Sequence, residues 1–455
     1  MAPTVRAPDL PTPAPAPRSL PAVAWKVLVA GLLIREGFSF WTGHPYDFED
    51  WIRTGYAVAQ GYNPYGYLPP VSGVSISYLS INLPGAAYFP FWSLLMGGLY
   101  RLWEAVGFHN RFVLYFLLKQ PPIVGDMVTA YLLYRVAEKW SGHASAGLSA
   151  LTFWSFFPYA ILIGAIWGQF DSIVVALILA TFFYRDPLER NILYGWGIFI
   201  KYVTAIYLPL EAFVARGWRR AYFLLAVAIP LATTVAVFFA TGWGITRLVA
   251  DSVAETHGNG GGMNWVGIIT SGPLDTTIAS IPGLDFALSY LWIPAVLIAC
   301  WVAARWYAPH RPAGLLRAMV LVTTVWLLFR WGLFEQYMLY LFALLVLDTL
   351  VFHPERRPLF DWISYLSLAY LVVNNDFLIR FAAPLSPGIS SFLISLDASY
   401  LYGGTRTYLI LGLIVLVTVT LVQLVWTYYR DDPAPWRWWK FEPSSRPSST
   451  PPPMH

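Results

Sequence analysis

Apolar runs of 18 or more residues recur along the whole chain, each long enough to cross a bilayer as an α-helix. In hydrocarbon the backbone must satisfy its own hydrogen bonds, and a helix does this within one segment. The chain is therefore read as all-α, a polytopic membrane protein. Charge agrees with this. Only 12% of the 455 residues are charged and 57% are hydrophobic, against about 25% charged in a soluble domain.

Twelve spans are predicted, at 21–41, 85–104, 112–136, 146–165, 168–184, 191–213, 220–241, 286–305, 314–333, 335–352, 359–379 and 406–429. Residues 1–20 are a Pro-rich tail with no ordered signal-peptide pattern, and 430–455 are a Pro/Ser-rich tail. Both tails are expected to be disordered. Residues 21–429 form the transmembrane domain, with long loops at 42–84, 242–285 and 380–405. Putting the N-terminus in the cytosol places seventeen of the 29 Lys and Arg residues inside, eight outside and four within spans. The positive-inside rule thus puts both termini in the cytosol and the three long loops on the external face. One loop strains this count. Arg185 and Arg190 fall outside, and Phe157-Pro158 marks 145–168 as a broken or re-entrant element.

The single cysteine, Cys300, excludes an intrachain disulfide framework and a cysteine metal site. The seven histidines form no HExxH-like cluster, so no protein-bound metal and no cofactor are expected. The basic residues sit in short loops and speak to orientation, not to nucleic acid.

Chemistry concentrates in the first long loop. Asp47, Glu49 and Asp50 stand beside Trp51 and Arg53. Such acidity beside a membrane fits a general base, with Asp47 the leading candidate and Glu49 and Asp50 the alternatives. On a helix Asp47, Asp50 and Trp51 share one face. The bland reading of Asp47 is a loop carboxylate or a helix cap.

Polar residues inside spans face a cavity or one another. Lys119 and Asp126 lie two turns apart around Pro121-Pro122, which breaks the helix; the pair is either an internal ion pair or part of an acceptor site. Gln169 and Asp171 bind hydroxyls, or Asp171 and Ser172 cap the next helix. The span count puts them at the cytosolic end, away from Asp47. Lys201 requires an anion, from Asp126, Asp171 or a ligand phosphate. Arg330, Glu335, Gln336 and Tyr337 cluster at the external membrane edge. Arg330 suits an anionic headgroup there, unless it simply pairs with Glu335. His257–Gly262 is glycine-rich and reads as a lid.

In this order the motifs resemble the GT-C superfamily of polyprenyl-phosphate-sugar-dependent glycosyltransferases. Within it they resemble the dolichyl-phosphate-glucose- and mannose-dependent enzymes and their prokaryotic relatives. Asp47-Phe48-Glu49 with Trp51 is similar to the acidic-aromatic-acidic motif of the family's first loop. Ser80–Gly85 stands at an aspartate-tyrosine-proline-proline-like segment, from which Asn82 and Gly85 depart. Gly168–Asp171 resembles an aromatic-glutamine element, and Lys201 with Pro209 a lysine-to-proline span. Phe334-Glu335-Gln336 takes the place of a His-Glu-Lys triplet and loses two phosphate partners.

The resemblance implies a GT-C-like fold with a large first external loop, and inverting transfer of a hexose, mannose or glucose. The donor would be a polyprenyl phosphate sugar in the bilayer. The acceptor hydroxyl, on a glycan, lipid or protein, would lose its proton to Asp47. Arg330, Glu335, Gln336, Tyr337 and Lys201 would hold the donor phosphate. The competing reading is a flippase of lipid-linked saccharides, with Lys119, Asp126 and Lys201 as its path.

Overall fold

The structure is a computed structural model that describes residues 20–76, 83–85, 88–107, 109–250, 262–270, 281, 283–307 and 309–430. Both tails, the glycine-rich 257–261 and Ser80–Asn82 lie outside the described residues. Helix dominates, and the only sheet among the described residues is a ladder of β1 (Tyr67–Leu68) with β2 (Leu83–Pro84).

Helix α1 (Ala22–Ser39) leads through a short loop into α2 (Asp47–Ala59). The next helix, α3 (Pro90–Val106), is not among the helices whose length and composition fit a membrane crossing. It packs along α2: Gly97 meets Val58, Gln60 donates to Glu104 at 3.0 Å, and Arg101 donates to the Ala59 carbonyl at 3.0 Å. Its apolar residues Trp92, Met96 and Gly97 are buried, and it carries Arg101 and Glu104. The expected span at 85–104 is corrected accordingly.

After α3 the chain is still beside α2, where Trp103 Nε1 donates to the Asn110 carbonyl at 3.1 Å. Helix α4 (Arg111–Ser141) starts beside the loop that precedes α2, where Lys119 reaches Thr42. It finishes at the far end, where Trp140 packs on Phe352. Pro121-Pro122 does not break α4, which is continuous through both; Ser172 Oγ donates to the Pro122 carbonyl at 2.9 Å. Helix α5 (Ala144–Phe156) bends by 48° at Phe157-Pro158 into α6 (Pro158–Ile161) and a π-turn, Leu162–Trp167. This returns the chain to the α2 end, and α7 (Asp171–Ala180) leaves it again.

The predicted span 191–213 is a hairpin instead. Helix α8 (Pro187–Ile200), started by the Asp186 side chain, stops at Lys201, whose backbone is extended. A 3-10 turn, Tyr202–Tyr207, and α9 (Leu208–Val214) run back. Arg190 and Glu211 close the hairpin with two bonds of 2.7 Å. The strained loop Arg185–Arg190 therefore lies at the same end as Arg216.

The remainder is α10 (Phe223–Thr241), α11 (Trp265–Thr270), α12 (Leu284–Tyr290), α13 (Trp292–Trp306), α14 (Pro312–Phe329), α15 (Met338–Leu347), α16 (Arg357–Asn374), α17 (Pro387–Asp397) and α18 (Tyr400–Arg430). By length and composition five helices among the described residues can cross a membrane, or seven if each bent pair is one span. Several predicted spans miss that measure for visible reasons. Helix α1 carries Lys26, Arg35 and Glu36; α4 carries Lys119, Gln120 and Asp126; α7 and α9 are short. The spans Pro312–Phe329 and Glu335–Phe352 are 72% and 83% buried, and form the centre. Gly217–Thr241, Leu284–Trp306 and Leu401–Tyr429 are 22–28% buried, with apolar faces outward. This is the pattern of a membrane protein, whose rim meets lipid.

Candidate active site

Asp47 opens α2, where the unpaired amides of a first helical turn favour negative charge. The five residues before it are pinned from several sides. Gly43 N–H donates to the Phe381 carbonyl at 3.0 Å, and His44 N–H to the Trp167 carbonyl at 3.3 Å. Lys119 Nζ donates to the Thr42 carbonyl (2.6 Å), Thr42 Oγ1 (2.7 Å) and the Ile166 carbonyl (3.2 Å), and lies over the Phe48 ring. Lys119 thus ties the Asp47 loop to the π-turn that ends in Trp167. The expected Lys119–Asp126 pair does not form.

At that junction Trp167 Nε1 donates to Asp47 Oδ2 at 2.6 Å and Gln169 Nε2 donates to the same oxygen at 2.9 Å. The turn that allows this needs Gly168. Its φ is +94°, and a Cβ there would meet the Phe48 ring at 3.0 Å. Gln169 therefore belongs to the Asp47 end and not to the opposite one, where the twelve-span count puts it. The Asp47 side chain is 26% exposed. Its second oxygen, Oδ1, has no hydrogen-bond partner among the described residues.

His44 stacks on Trp167 with ring centroids 4.5 Å apart, and its Nδ1 accepts the Asp47 backbone N–H at 3.2 Å. Burial pushes the imidazole down from 6.5 to about 4, partly opposed by the neighbouring Asp47 carboxylate. His44 is thus neutral at pH 7 and fixes the start of α2 without contributing charge.

The two alternative bases are placed differently. Glu49 is fully buried; it accepts from Arg53 at 2.6 Å and from the Ile76 N–H at 2.6 Å, while Arg53 Nη1 donates to the Leu68 carbonyl at 3.0 Å. This ion pair ties the β1 segment to α2. Asp50 is 8% exposed, so the leading candidate is the accessible one.

Asp126 pairs with Arg35 at 2.6 Å and accepts from Trp154 Nε1 at 2.6 Å. Asp171 makes no cap; it pairs with Lys201 at 2.9 Å and accepts from Tyr340 at 2.7 Å. Lys201 also lies over Tyr88, Phe170 and Tyr337. Arg330 Nη2 donates to Tyr202 and Tyr337 at 3.2 and 3.0 Å, and the guanidinium sits 4.4 Å from the Tyr337 ring centroid. Glu335 is buried. Its Oε1 accepts from Asn374 and Asn375 at 2.7 and 3.3 Å. Gln336 is buried, and its Oε1, like Gln169 Oε1, lacks a partner among the described residues.

Asn374 and Asn375, which hold Glu335, and Asp376 beside them were missed by motif reading. Asp376, Phe377 and Leu378 hold φ of 51°, 54° and 70°, a left-handed run that non-glycine residues seldom adopt. Asp376 is anchored by Arg380 and Arg406. The signal available in sequence was a run of three polar residues closing an apolar segment. Arg35 was likewise legible as a charge within a span. Among the described residues no three His, Cys, Asp or Glu side chains group as metal ligands.

No protein-family model matches this chain, and no curated protein is similar to it in sequence.

Proposed function

We propose that the chain is a membrane-embedded inverting glycosyltransferase of GT-C type. It moves a hexose, mannose or glucose, from a polyprenyl-phosphate-sugar donor to a hydroxyl on a glycan, lipid or protein. The observation that carries this is the state of Asp47. It is the part-exposed carboxylate whose Oδ2 is held by two neutral donors and whose Oδ1 is open, beside carboxylates such as Glu49, Asp126 and Asp171 that cations neutralise.

In this reading Oδ1 accepts the proton of the acceptor hydroxyl. The hydroxyl oxygen forms a bond to the anomeric carbon as the bond from that carbon to the phosphate oxygen breaks. The sugar inverts, and the polyprenyl phosphate leaves with the electron pair. Trp167 and Gln169 hold the base in line, and general-base catalysis of this kind supplies about 10²–10⁴-fold. Buried Gln169 Oε1 and Gln336 Oε1 can accept from sugar hydroxyls. Arg330 is the cation assigned to the phosphate, oriented by Tyr202 and Tyr337.

For the membrane we propose twelve embedded helical segments: the twelve of the sequence with 85–104 removed and 191–213 counted as a hairpin of two. Arg135, Lys139, Arg185 and Arg190 then join the end opposite Asp47, and Arg101 and Arg111 join the Asp47 end. The positive-inside rule assigns the opposite end, with both termini, to the cytosol and the Asp47 end to the external face. A transport path through Lys119, Asp126 and Lys201 is disfavoured, since each is buried and engaged by its own partners.

The test is transfer of radiolabelled sugar from synthetic polyprenyl-phosphate mannose and glucose, using purified protein with a lipid extract of its host. Transfer lost in Asp47→Asn is the expected result. Transfer by Asp47→Asn at the wild-type rate removes the assignment of the base, and no transfer from either donor by folded wild-type protein removes the enzyme.

A further inference from the structure

At the end opposite Asp47 a cavity of about 480 Å³ opens between the start of the Gly217–Thr241 span and the loop joining α13 to α14. Arg330 stands at the other end of α14, whose 18 residues separate the two by about 27 Å. The cavity therefore belongs to neither the Asp47 site nor the Arg330 cluster. Arg216, Arg220 and Arg305 line it together with His310, on a floor that includes Phe213 and Trp306. Among the described residues no acidic side chain lines it. Arg220 donates to the Ala215 carbonyl at 3.1 Å, and Arg305 lies over the Trp301 ring, so neither guanidinium is neutralised by those contacts. Glu211, the carboxylate nearest Arg216 in sequence, gives both oxygens to Arg190.

Three guanidinium groups around one cavity repel one another unless an anion enters, and their forked donors match phosphate oxygens. The location selects which anion. Gly217–Thr241 and Leu284–Trp306 turn most of their surface outward, and Trp218, 74% exposed, stands beside the cavity as an interfacial anchor does. A cavity at the ends of lipid-facing helices meets the headgroup layer, where basic pockets between helices hold anionic headgroups.

We propose that this cavity binds the phosphate-bearing headgroup of an anionic glycerophospholipid, with Arg216, Arg220 and Arg305 on the phosphate and the acyl chains along α10 and α13.

The test uses the full-length protein in nanodiscs of phosphatidylcholine with phosphatidylglycerol, and native mass spectrometry counts the phosphatidylglycerol that stays bound on release. The double variant Arg216→Gln/Arg305→Gln should hold it roughly thirtyfold more weakly, and Arg216→Gln alone roughly fivefold. The pair Arg219→Gln/Arg311→Gln removes equal charge from exposed positions at the same end but outside the cavity, and should change retention little. Equal losses in the two pairs would reduce the effect to diffuse surface charge and overturn the site. Absence of retained phosphatidylglycerol in the wild type overturns it as well. Inorganic phosphate and soluble glycerol phosphate form a separate arm; displacement of the lipid by either at low concentration would identify a soluble anion as the ligand and overturn the lipid. If the double variant does not run as a monodisperse species, the exposed single variant Arg216→Gln decides.

Discussion

Two carboxylates in this protein receive the same strong donor and are put to opposite uses. Asp126 accepts an indole N–H from Trp154 at 2.6 Å, and Asp47 accepts one from Trp167 at 2.6 Å. The second donor separates them. For Asp126 it is the Arg35 guanidinium, which occupies the other oxygen and is itself bonded to the Gly31 and Ser155 carbonyls. For Asp47 it is the Gln169 amide, which is neutral and falls on the oxygen already used. Asp126 is 1% exposed and Asp47 26%. An indole plus a cation makes a closed joint between α1, α4 and α5. An indole plus an amide makes an oriented carboxylate with one oxygen open to a proton.

The comparison breaks most sharply under the same substitution at both sites. Asp126→Asn leaves Arg35 buried without its counter-charge, and such a loss costs about 3–5 kcal/mol. Its thermal unfolding midpoint in detergent should fall steeply, and little folded protein should be recovered. Asp47→Asn should keep the wild-type midpoint while sugar transfer falls by about 10²–10⁴-fold. A stable Asp126→Asn, or an unstable Asp47→Asn, would erase the distinction between joint and base.

The donors come next in size. Trp167→Phe keeps the stack on His44 in outline and removes one hydrogen bond to a charged group, worth about 1.5–3 kcal/mol. If that bond positions the base, transfer falls by about ten- to a hundredfold, with the larger share in kcat. Trp154→Phe should leave kcat unchanged in the protein that folds. Equal kcat losses in the two variants would mean that both tryptophans act through packing.

Much of this contrast was legible in sequence, and its failures are physical. The acidic cluster 47–53 and the Trp167–Asp171 motif stand out because polar residues are rare in such a chain. Which end of the molecule each occupies was not legible. Hydropathy measures how apolar a segment is, and the apolar run of α3 packs along α2, with Arg101 and Glu104 bonded to Ala59 and Gln60 at its end. The twelve-span count put Gln169 at the far end from Asp47, and the structure has it bonded to Asp47. The partners of buried charges were equally hidden. Lys119 and Asp126 share a helix face but Arg35 competes successfully for Asp126, a contact across 91 positions that no local spacing encodes. The need of Lys201 for an anion is plain from its place in an apolar run; that Asp171 supplies it depends on the hairpin turning at Lys201 itself. Asn374–Asp376 escaped because their importance lies in backbone conformation and in the grip on Glu335, which residue type alone does not announce.

The smallest expected effect concerns His44, and it tests whether the Asp47 loop is held by a neutral imidazole. Its folded pKa lies near 4, below the ordinary 6.5, because burial disfavours the cation. The unfolded chain therefore binds a proton between pH 6.5 and 4 that the folded chain refuses. Stability then rises with pH across that window and falls as the solution is acidified through it. Above 6.5 both states are neutral and the contribution is flat. His44→Asn offers the Asp47 backbone N–H an amide oxygen in place of Nδ1 and removes the titration. The wild-type unfolding midpoint, measured from pH 7 down to pH 5, should drop more steeply than that of His44→Asn. The two proteins differ at this side chain alone, so the difference between the two curves reports the imidazole together with its charged neighbours Asp47, Asp376 and Arg380. Parallel curves would mean that His44 takes up its proton in the folded state. The Asp47 backbone N–H would then lose its acceptor, and the loop would be held by Lys119 and the Phe381 carbonyl without help from the histidine.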